Sequence, residues 1–534
     1  MHIYDTIKNF YKKDPKSPAL LYMGKMFSYA RLFEEIDIAA GKLSTYVKAG
    51  DVVTVCMPNT PECGFTLYAI NRIGAIAHMV HPLAPLNALK KFMTAAGSKL
   101  LVTLSVNIEK YAPLAKGYPI ISVHPARSLG ALKRKLFDIK VKPYRGDMSG
   151  IKDYDDVPMG SLPPEPDRDG NDTGVYLNSG GTSGEPKIIE LSDNAINNLG
   201  NRGLEALNLD DARGMYMLAV VPMSHGYGLT MGVHTTLTYG AVSVLMPKFD
   251  AKLTVKLIKQ NKMHFLVGVP NLYRALLRQK GFKGKALKNI YVGYIGGDVA
   301  PQSLLDEFND RMKEAGASGR LFEGYGLTET TNVCVVNNYK YNRRGSLGKP
   351  FKGLSAAIVE PETNTLLPPG EKGEILIAGD TLMTGYLNNP EETAKAFLEI
   401  DGKRYVRTGD YGYMDDDGFL YFVQRLKRII KISGMSVYPR EIEDSAMELP
   451  GITGACAVEY SDHGKTKIAL YLTGTPVPEQ AVKGKIAADL SHYAMPTIVE
   501  FIDEIPLTQM MKADTLMLSD RANKTAAGEA KLCD

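Results

Sequence analysis

The segment Ser179-Gly180-Gly181-Thr182-Ser183-Gly184-Glu185-Pro186-Lys187 gathers the parts of an anion cradle. Its glycines let successive backbone N–H groups converge on one anion. Thr182 and Ser183 add hydroxyl donors, and Lys187 adds a mobile cation. The chemistry is phosphate binding. The G-x-x-x-x-G-K-[ST] pattern is absent, because Pro186 precedes Lys187 and Ile188 follows it, so a mononucleotide P-loop of that type is not expected. Taken alone, the same residues also describe a flexible surface loop.

Three further clusters could do chemistry. Tyr325-Gly326-Leu327-Thr328-Glu329 offers an aromatic face for a purine, a small residue for close approach, a hydroxyl and a metal-binding carboxylate. Arg407-Thr408-Gly409-Asp410 reads as a turn whose carboxylate suits the two vicinal hydroxyls of a ribose. Arg425-Leu426-Lys427-Arg428-Ile429-Ile430-Lys431 is a basic run, followed by Gly434 and a proline-started helix at Pro439. His225 stands in an apolar segment, where a satisfied core histidine is the ordinary reading.

The elements that must position these residues are those of an α/β protein. Val52 to Met57 reads as a buried strand, and Cys63 to Gly74 after it has helical apolar spacing. The same alternation recurs at Phe265 to Val269 and at Tyr291 to Ile295, each followed by a helix, which predicts parallel sheets covered by helices. The stretch from about Ser128 to Asp172 has little periodicity and reads as a surface excursion or linker, with Lys133, Arg134 and Lys135 as solvated surface. After Lys349, turns such as Pro368-Pro369-Gly370 mark a smaller β-rich subdomain. Asn389-Pro390-Glu391-Glu392 there supplies a helix cap, a first-turn proline and a reciprocal Glu. A final α+β unit follows from Lys427, with strands at Ala455 to Val458 and Lys467 to Leu472 and a frayed tail after Ser519.

A length of 534 residues predicts more than one domain. Hydrophobic content of 44% and charged content of 23% are those of a soluble globular protein. The net charge of +4 carries no nucleic-acid footprint. Cys56, Cys63, Cys334, Cys456 and Cys533 are scattered and form no C-x-x-C pair, so neither a disulfide framework nor a zinc site is expected. The opening MHIYDTIKNFYKK lacks the apolar core of a signal peptide, and the expected location is the cytoplasm. Gly214 to Pro247 contains no Asp, Glu, Lys or Arg, yet Pro222, its glycines and its polar residues argue against a transmembrane segment. Two buried strands flanking a loop and a helix are expected there.

In this order and at these separations, the motifs resemble the acyl-adenylate-forming superfamily of acyl-CoA synthetases, peptide-synthetase adenylation domains and firefly luciferase. Phe27-Ser28-Tyr29, Gly50-Asp51-Val52, Pro58-Asn59, Gly74-Ala75, Gly373-Glu374-Ile375 and Gly385-Tyr386-Leu387-Asn388-Asn389-Pro390-Glu391 carry the resemblance from near Leu20 to near Leu518. It implies a large N-terminal domain (residues 1–426) of layered sheets and helices with a β-rich subdomain. It also implies a small mobile α+β C-terminal domain (residues 427–534).

The resemblance further implies that Ser179, Gly180, Gly181, Thr182, Ser183, Gly184 and Lys187 hold the phosphates of ATP. Gly297-Asp298-Val299 would contact adenine, with Tyr325 stacking and Gly326 beside it. Thr328 would bind the α-phosphate, Glu329 with Thr182 the Mg²⁺, Asp410 the ribose, and Arg425 the ribose or phosphate. His225 would sit beside the carboxylate and the acyl pocket. Lys512, in Pro506-Leu507-Thr508-Gln509-Met510-Met511-Lys512, resembles the catalytic lysine of a P-x-T-x-x-G-K pattern, with Met510-Met511 replacing the usual Ser-Gly. Gln424 before Arg425 and Ile188 after Lys187 are further departures, since glycine is usual at both. Lys427 would be the hinge, and Gly434 would lie on the loop facing coenzyme A.

The implied reaction joins a small carboxylic acid to AMP and then to coenzyme A, with ATP and Mg²⁺, as in a stand-alone acyl-CoA synthetase of fatty or aromatic acids. Loading of a carrier protein's phosphopantetheine is the nearest alternative, and a non-catalytic acyl-adenylate binder the next.

Overall fold

The structure, a computed structural model, describes residues 1–140, 144–166, 169–179, 187–432, 435–507 and 513–527. These residues gather into two compact units. The larger takes residues 1–179, 187–356 and 377–406, and the smaller takes residues 357–376 and those from 407 onward.

Two large sheets, of eight and nine strands among the described residues, organise the larger unit. In the first, Val52–Cys56 lies between the parallel strands Ile76–Met79 and Ser98–Leu104. All five of its residues are buried, so the run reads as continuous apolar sequence without alternation. The helix Pro61–Ile73 follows. Thr60 Oγ1 accepts from Cys63 N at 3.3 Å to start it, and Gly74, at φ +83°, ends it. Further along the sheet, Thr173–Asn178 and Ile188–Ser192 pair antiparallel, forming the two arms of a hairpin around the glycine-rich segment.

The second sheet has a parallel run made of Arg320–Gly326, Val292–Ile295, Phe265–Gly268, Tyr216–Ala219, Val242–Leu245 and Pro18–Tyr22. Helices Pro270–Leu277 and Gln302–Glu314 bury Leu272, Leu276, Leu305 and Phe308 in one core beside it. The charge-free stretch is interior, as expected. It supplies two strands of this sheet, with the π-helical Gly228–His234 and the helix Thr235–Thr238 between them. Among the described residues, no helix is long and apolar enough to cross a membrane.

In the smaller unit, Ile452–Asp462 and Lys465–Gly474 form a hairpin, and Ile498–Phe501 adds in parallel. Alternating residues serve two cores. Ile468 and Leu470 meet Ile442 and Ile486 on one face, while Ala469 and Tyr471 meet Leu518 and Ala522 on the other. The mixed α/β architecture, with a large N-terminal part and a small α+β end, is the one the sequence predicts.

Two expectations are corrected. The stretch from Ser128 to Asp172 is not without regular structure: it contains the helix Ala131–Lys140 and the strand Ile151–Asp153, which joins a sheet edge. The chain after Ser519 does not fray at once, because the helix Thr515–Ala526 is anchored by buried Leu518 and Ala522.

Candidate active site

The hairpin clamps the ends of the glycine-rich segment. Ser179 N donates to the Lys187 carbonyl at 2.8 Å, and Lys187 N donates to Ser179 Oγ at 3.1 Å. Gly180, Gly181, Thr182, Ser183 and Gly184 lie outside the described residues, as do Gly434 and Lys512 with Met510 and Met511. The Lys187 ammonium pairs with Glu392 and lies 4.6 Å from the centroid of the Tyr386 ring. Tyr386 Oη in turn donates to Glu329 Oε1 at 3.0 Å.

Burial, then the Glu329 charge, pushes the Tyr386 phenol well above its ordinary pKa, so it stays a donor. Hydrogen bonds from Lys187 and then Lys395 pull Glu392 down to about 2. Asn389 caps the helix Pro390–Ala396 as expected, its Oδ1 accepting from Glu392 N at 3.1 Å. The Glu392 side chain does not complete a reciprocal cap, because both its oxygens are drawn to lysines.

Glu329 is presented by a short turn, Thr328–Thr330, directly after the strand Arg320–Gly326. Buried Thr330 Oγ1 donates to the Asn332 carbonyl at 2.7 Å, and the Glu329 carbonyl accepts from Met383 N at 2.8 Å. Every residue from Glu323 to Glu329 is only partly buried, so Tyr325, Thr328 and Glu329 each keep some exposed surface.

Glycines bring two other segments against this turn. A Cβ on Gly226 would stand 2.3 Å from the Thr331 carbonyl, and one on Gly296 would stand 2.6 Å from the Gly324 carbonyl. The close approach at Gly226 brings the chain next to His225 against Thr331, and His225 Nδ1 accepts from Tyr227 N at 3.1 Å. The one at Gly296 packs the residue before Gly297-Asp298-Val299 against Gly324, the residue before Tyr325. Gly297 turns at φ +79°, and Asp298 Oδ1 accepts from Val299 N at 2.8 Å.

In the smaller unit, Asp410 is buried and lies 2.9 Å from Arg425 Nε, its cross-strand neighbour. Arg407 to Asp410 is not the expected turn but part of the strand Lys403–Met414, with Gly409 at φ +67°. Buried Glu374 supports this segment by accepting from Arg407 Nε at 2.9 Å and Nη2 at 2.6 Å, and from Gly409 N at 3.1 Å. Gln424 is buried, and among the described residues neither of its amide atoms has a hydrogen-bond partner. Lys427 is exposed in the turn Leu426–Arg428, and Arg428 Nη2 donates to Glu443 Oε1 at 2.6 Å and the Ala457 carbonyl at 3.1 Å.

Sequence reasoning assigns no role to Tyr386 or Glu374, and gives Glu392 only a place in a helix cap. Only the matched runs Gly373-Glu374-Ile375 and Gly385 to Glu391 point toward them.

A family model described as AMP-binding enzyme matches residues 7–387, and one described as AMP-binding enzyme C-terminal domain matches residues 441–512. The chain is 29% identical over 533 residues to a long-chain-fatty-acid–CoA ligase of Bacillus subtilis (strain 168), covering 93% of this chain and 90% of that one. It is also 29% identical over 518 residues to 4-coumarate–CoA ligase 2 of Nicotiana tabacum, covering 94% and 90%. Among solved structures, ATP-bound MatB from Rhodopseudomonas palustris shares the fold with a TM-score of 0.86 at 22% identity, covering 98% of this chain and all of that one.

Proposed function

The chain belongs to the AMP-binding enzyme family, and we propose that it activates a carboxylic acid with ATP and passes the acyl group to coenzyme A. The observation that carries this reading is the chain Lys187–Tyr386–Glu329, in which one tyrosine lies under a cation and holds a carboxylate. That pairing suits a triphosphate with its divalent cation, offering a cation to phosphate and a carboxylate to the metal.

Among the described residues no group of three or more metal-binding side chains exists. Mg²⁺ does not require one, since it binds one or two carboxylates together with phosphates and water. Glu329, oriented by Tyr386, fits that demand, and the bound ion would supply charge neutralisation on the phosphates.

The acid's carboxylate attacks the α-phosphorus of ATP, forming a C–O–P anhydride as the bond to pyrophosphate breaks. Lys187 and the glycine-rich segment hold the departing pyrophosphate, Thr328 binds the α-phosphate, and Lys512 offsets the repulsion between the two anions. Tyr325 and Gly297-Asp298-Val299 receive adenine, Asp410 receives the ribose hydroxyls, and Arg425 assists there. His225, next to the Gly226 that packs on Thr331, borders the acid. The thiolate of coenzyme A then attacks the acyl carbon and AMP leaves. Long-chain fatty acids and 4-coumarate, the acids in the relatives' names, are the first substrates to try. The buried thiols Cys56, Cys63 and Cys456 support a reducing, cytoplasmic setting.

The test is acid-dependent exchange of labelled pyrophosphate into ATP across fatty, aromatic, bile and amino acids, with Lys512→Ala abolishing it. No exchange across the panel would leave an acyl-adenylate binder. AMP release with coenzyme A, compared with a holo carrier protein, identifies the acceptor.

A further inference from the structure

The helix Ala131–Lys140 has an inner and an outer face of opposite character. Arg134 Nη1 reaches Asp155 at 2.7 Å, Asp138 Oδ1 meets His124 Nε2 at 2.8 Å, and the Phe137 ring lies edge-on to His124 at 5.4 Å. At 3.6 residues per turn, Leu132, Leu136 and Ile139 fall on the opposite side. They are 75%, 53% and 73% exposed. Exposed Lys133 and Lys135 flank this apolar stripe on either side. Lys133 Nζ also donates to the Met23 carbonyl at 3.0 Å, which brings the exposed Met23 of the Pro18–Ser28 hairpin beside the helix.

A contiguous apolar stripe is seldom left to water. Flanking lysines favour an anionic surface, because their stems extend along apolar ground while their ammonium groups reach phosphate. The helix is too short to span a bilayer. The geometry points to a membrane-surface docking site: Leu132, Leu136 and Ile139 enter the headgroup layer of an anionic phospholipid bilayer, and Lys133 and Lys135 pair with its phosphates. This goes beyond the acid–thiol ligase reading and does not depend on it.

The sequence contains no tryptophan, so Leu136→Trp introduces a single indole reporter. With the full chain, its emission should shift to the blue on mixing with vesicles of phosphatidylcholine and phosphatidylglycerol. The shift should be far smaller with phosphatidylcholine alone and should weaken as salt rises. In co-sedimentation, the combined Leu132→Ser, Leu136→Ser, Ile139→Ser variant should partition at least about tenfold more weakly. Lys133→Glu with Lys135→Glu keeps the stripe and should lose roughly fivefold per lysine. Three results would overturn the proposal: no binding to anionic vesicles at low ionic strength, equal binding by parent and variants, or a blue shift that follows protein concentration without vesicles. The last would mean that a second copy of the chain covers the face.

Discussion

Replacing Tyr386 by Phe removes one oxygen and leaves the ring beneath Lys187. The lost contact is the 3.0 Å hydrogen bond to Glu329. A net hydrogen bond of about 0.5–1.5 kcal/mol corresponds to a loss of roughly two- to tenfold. Pyrophosphate exchange by Tyr386→Phe should fall by that amount and need more Mg²⁺ for half-maximal rate, with KM for ATP little changed. Glu392 acts in the other direction. It occupies the Lys187 ammonium proposed to hold a phosphate, so Glu392→Gln should lower KM for ATP by roughly two- to fivefold, the scale of a partly exposed ion pair. The pH dependence follows from its depressed pKa. A carboxyl that titrates at about 2 when folded contributes stability above its ordinary value near 4.5, and that contribution is lost as pH falls toward 2. The urea midpoints of parent and Glu392→Gln should therefore differ slightly at pH 7 and converge as the buffer is taken from about pH 5 to about pH 3.

At the scale of elements, the turn Thr328–Thr330 depends on neighbours that approach without a side chain. Gly226→Ala places a methyl group 2.3 Å from the Thr331 carbonyl, a distance no Cβ tolerates. The backbone at His225 must move, and exchange should fall by about tenfold or more while far-UV circular dichroism stays native, since a small displacement at reacting groups costs that much. Preservation of activity would place His225 outside the site. The strand Val52–Cys56 and the Asn389 cap were legible in the sequence because each is specified by its own few residues: five buried side chains, and one amide reaching three positions along. The partnership of Lys187 with Glu392 was not, because it joins positions 205 residues apart in sequence and local capping chemistry offered Glu392 a nearer use. Asp410 was recognised by type but misplaced in a turn. Gly409, with its positive φ, reads locally as a chain reversal, while its strand is held by pairing with Leu420–Arg425. The helix Ala131–Lys140 escaped notice because its largest aliphatic residues face outward, whereas periodicity is read on the assumption that such residues point to a core.

Over the whole molecule, the two steps, adenylation and transfer to coenzyme A, are proposed to share one set of phosphate and ribose ligands. In the proposed mechanism Lys512 serves the first and the Gly434 loop the second, and both lie in the final domain proposed to begin at Lys427. The chain around that boundary is held on both sides. Arg425 is tied to Asp410, and Arg428 is tied to Glu443 and the Ala457 carbonyl. We propose that rotation concentrates in Leu426 and Lys427, between these two ion pairs, where Lys427 is exposed. Proline fixes φ near −65° and restricts the residue before it, so Lys427→Pro locks that two-residue link. The arrangement that inserts Lys512 should survive, leaving pyrophosphate exchange within about twofold of the parent. The second arrangement should become inaccessible, so coenzyme A-dependent AMP release should fall by at least about tenfold, or about 1.4 kcal/mol of barrier. Equal loss of both half-reactions would mean that the two steps do not divide at Lys427, and the rotation would then have to be sought beyond the Arg428–Glu443 anchor, inside the final unit itself.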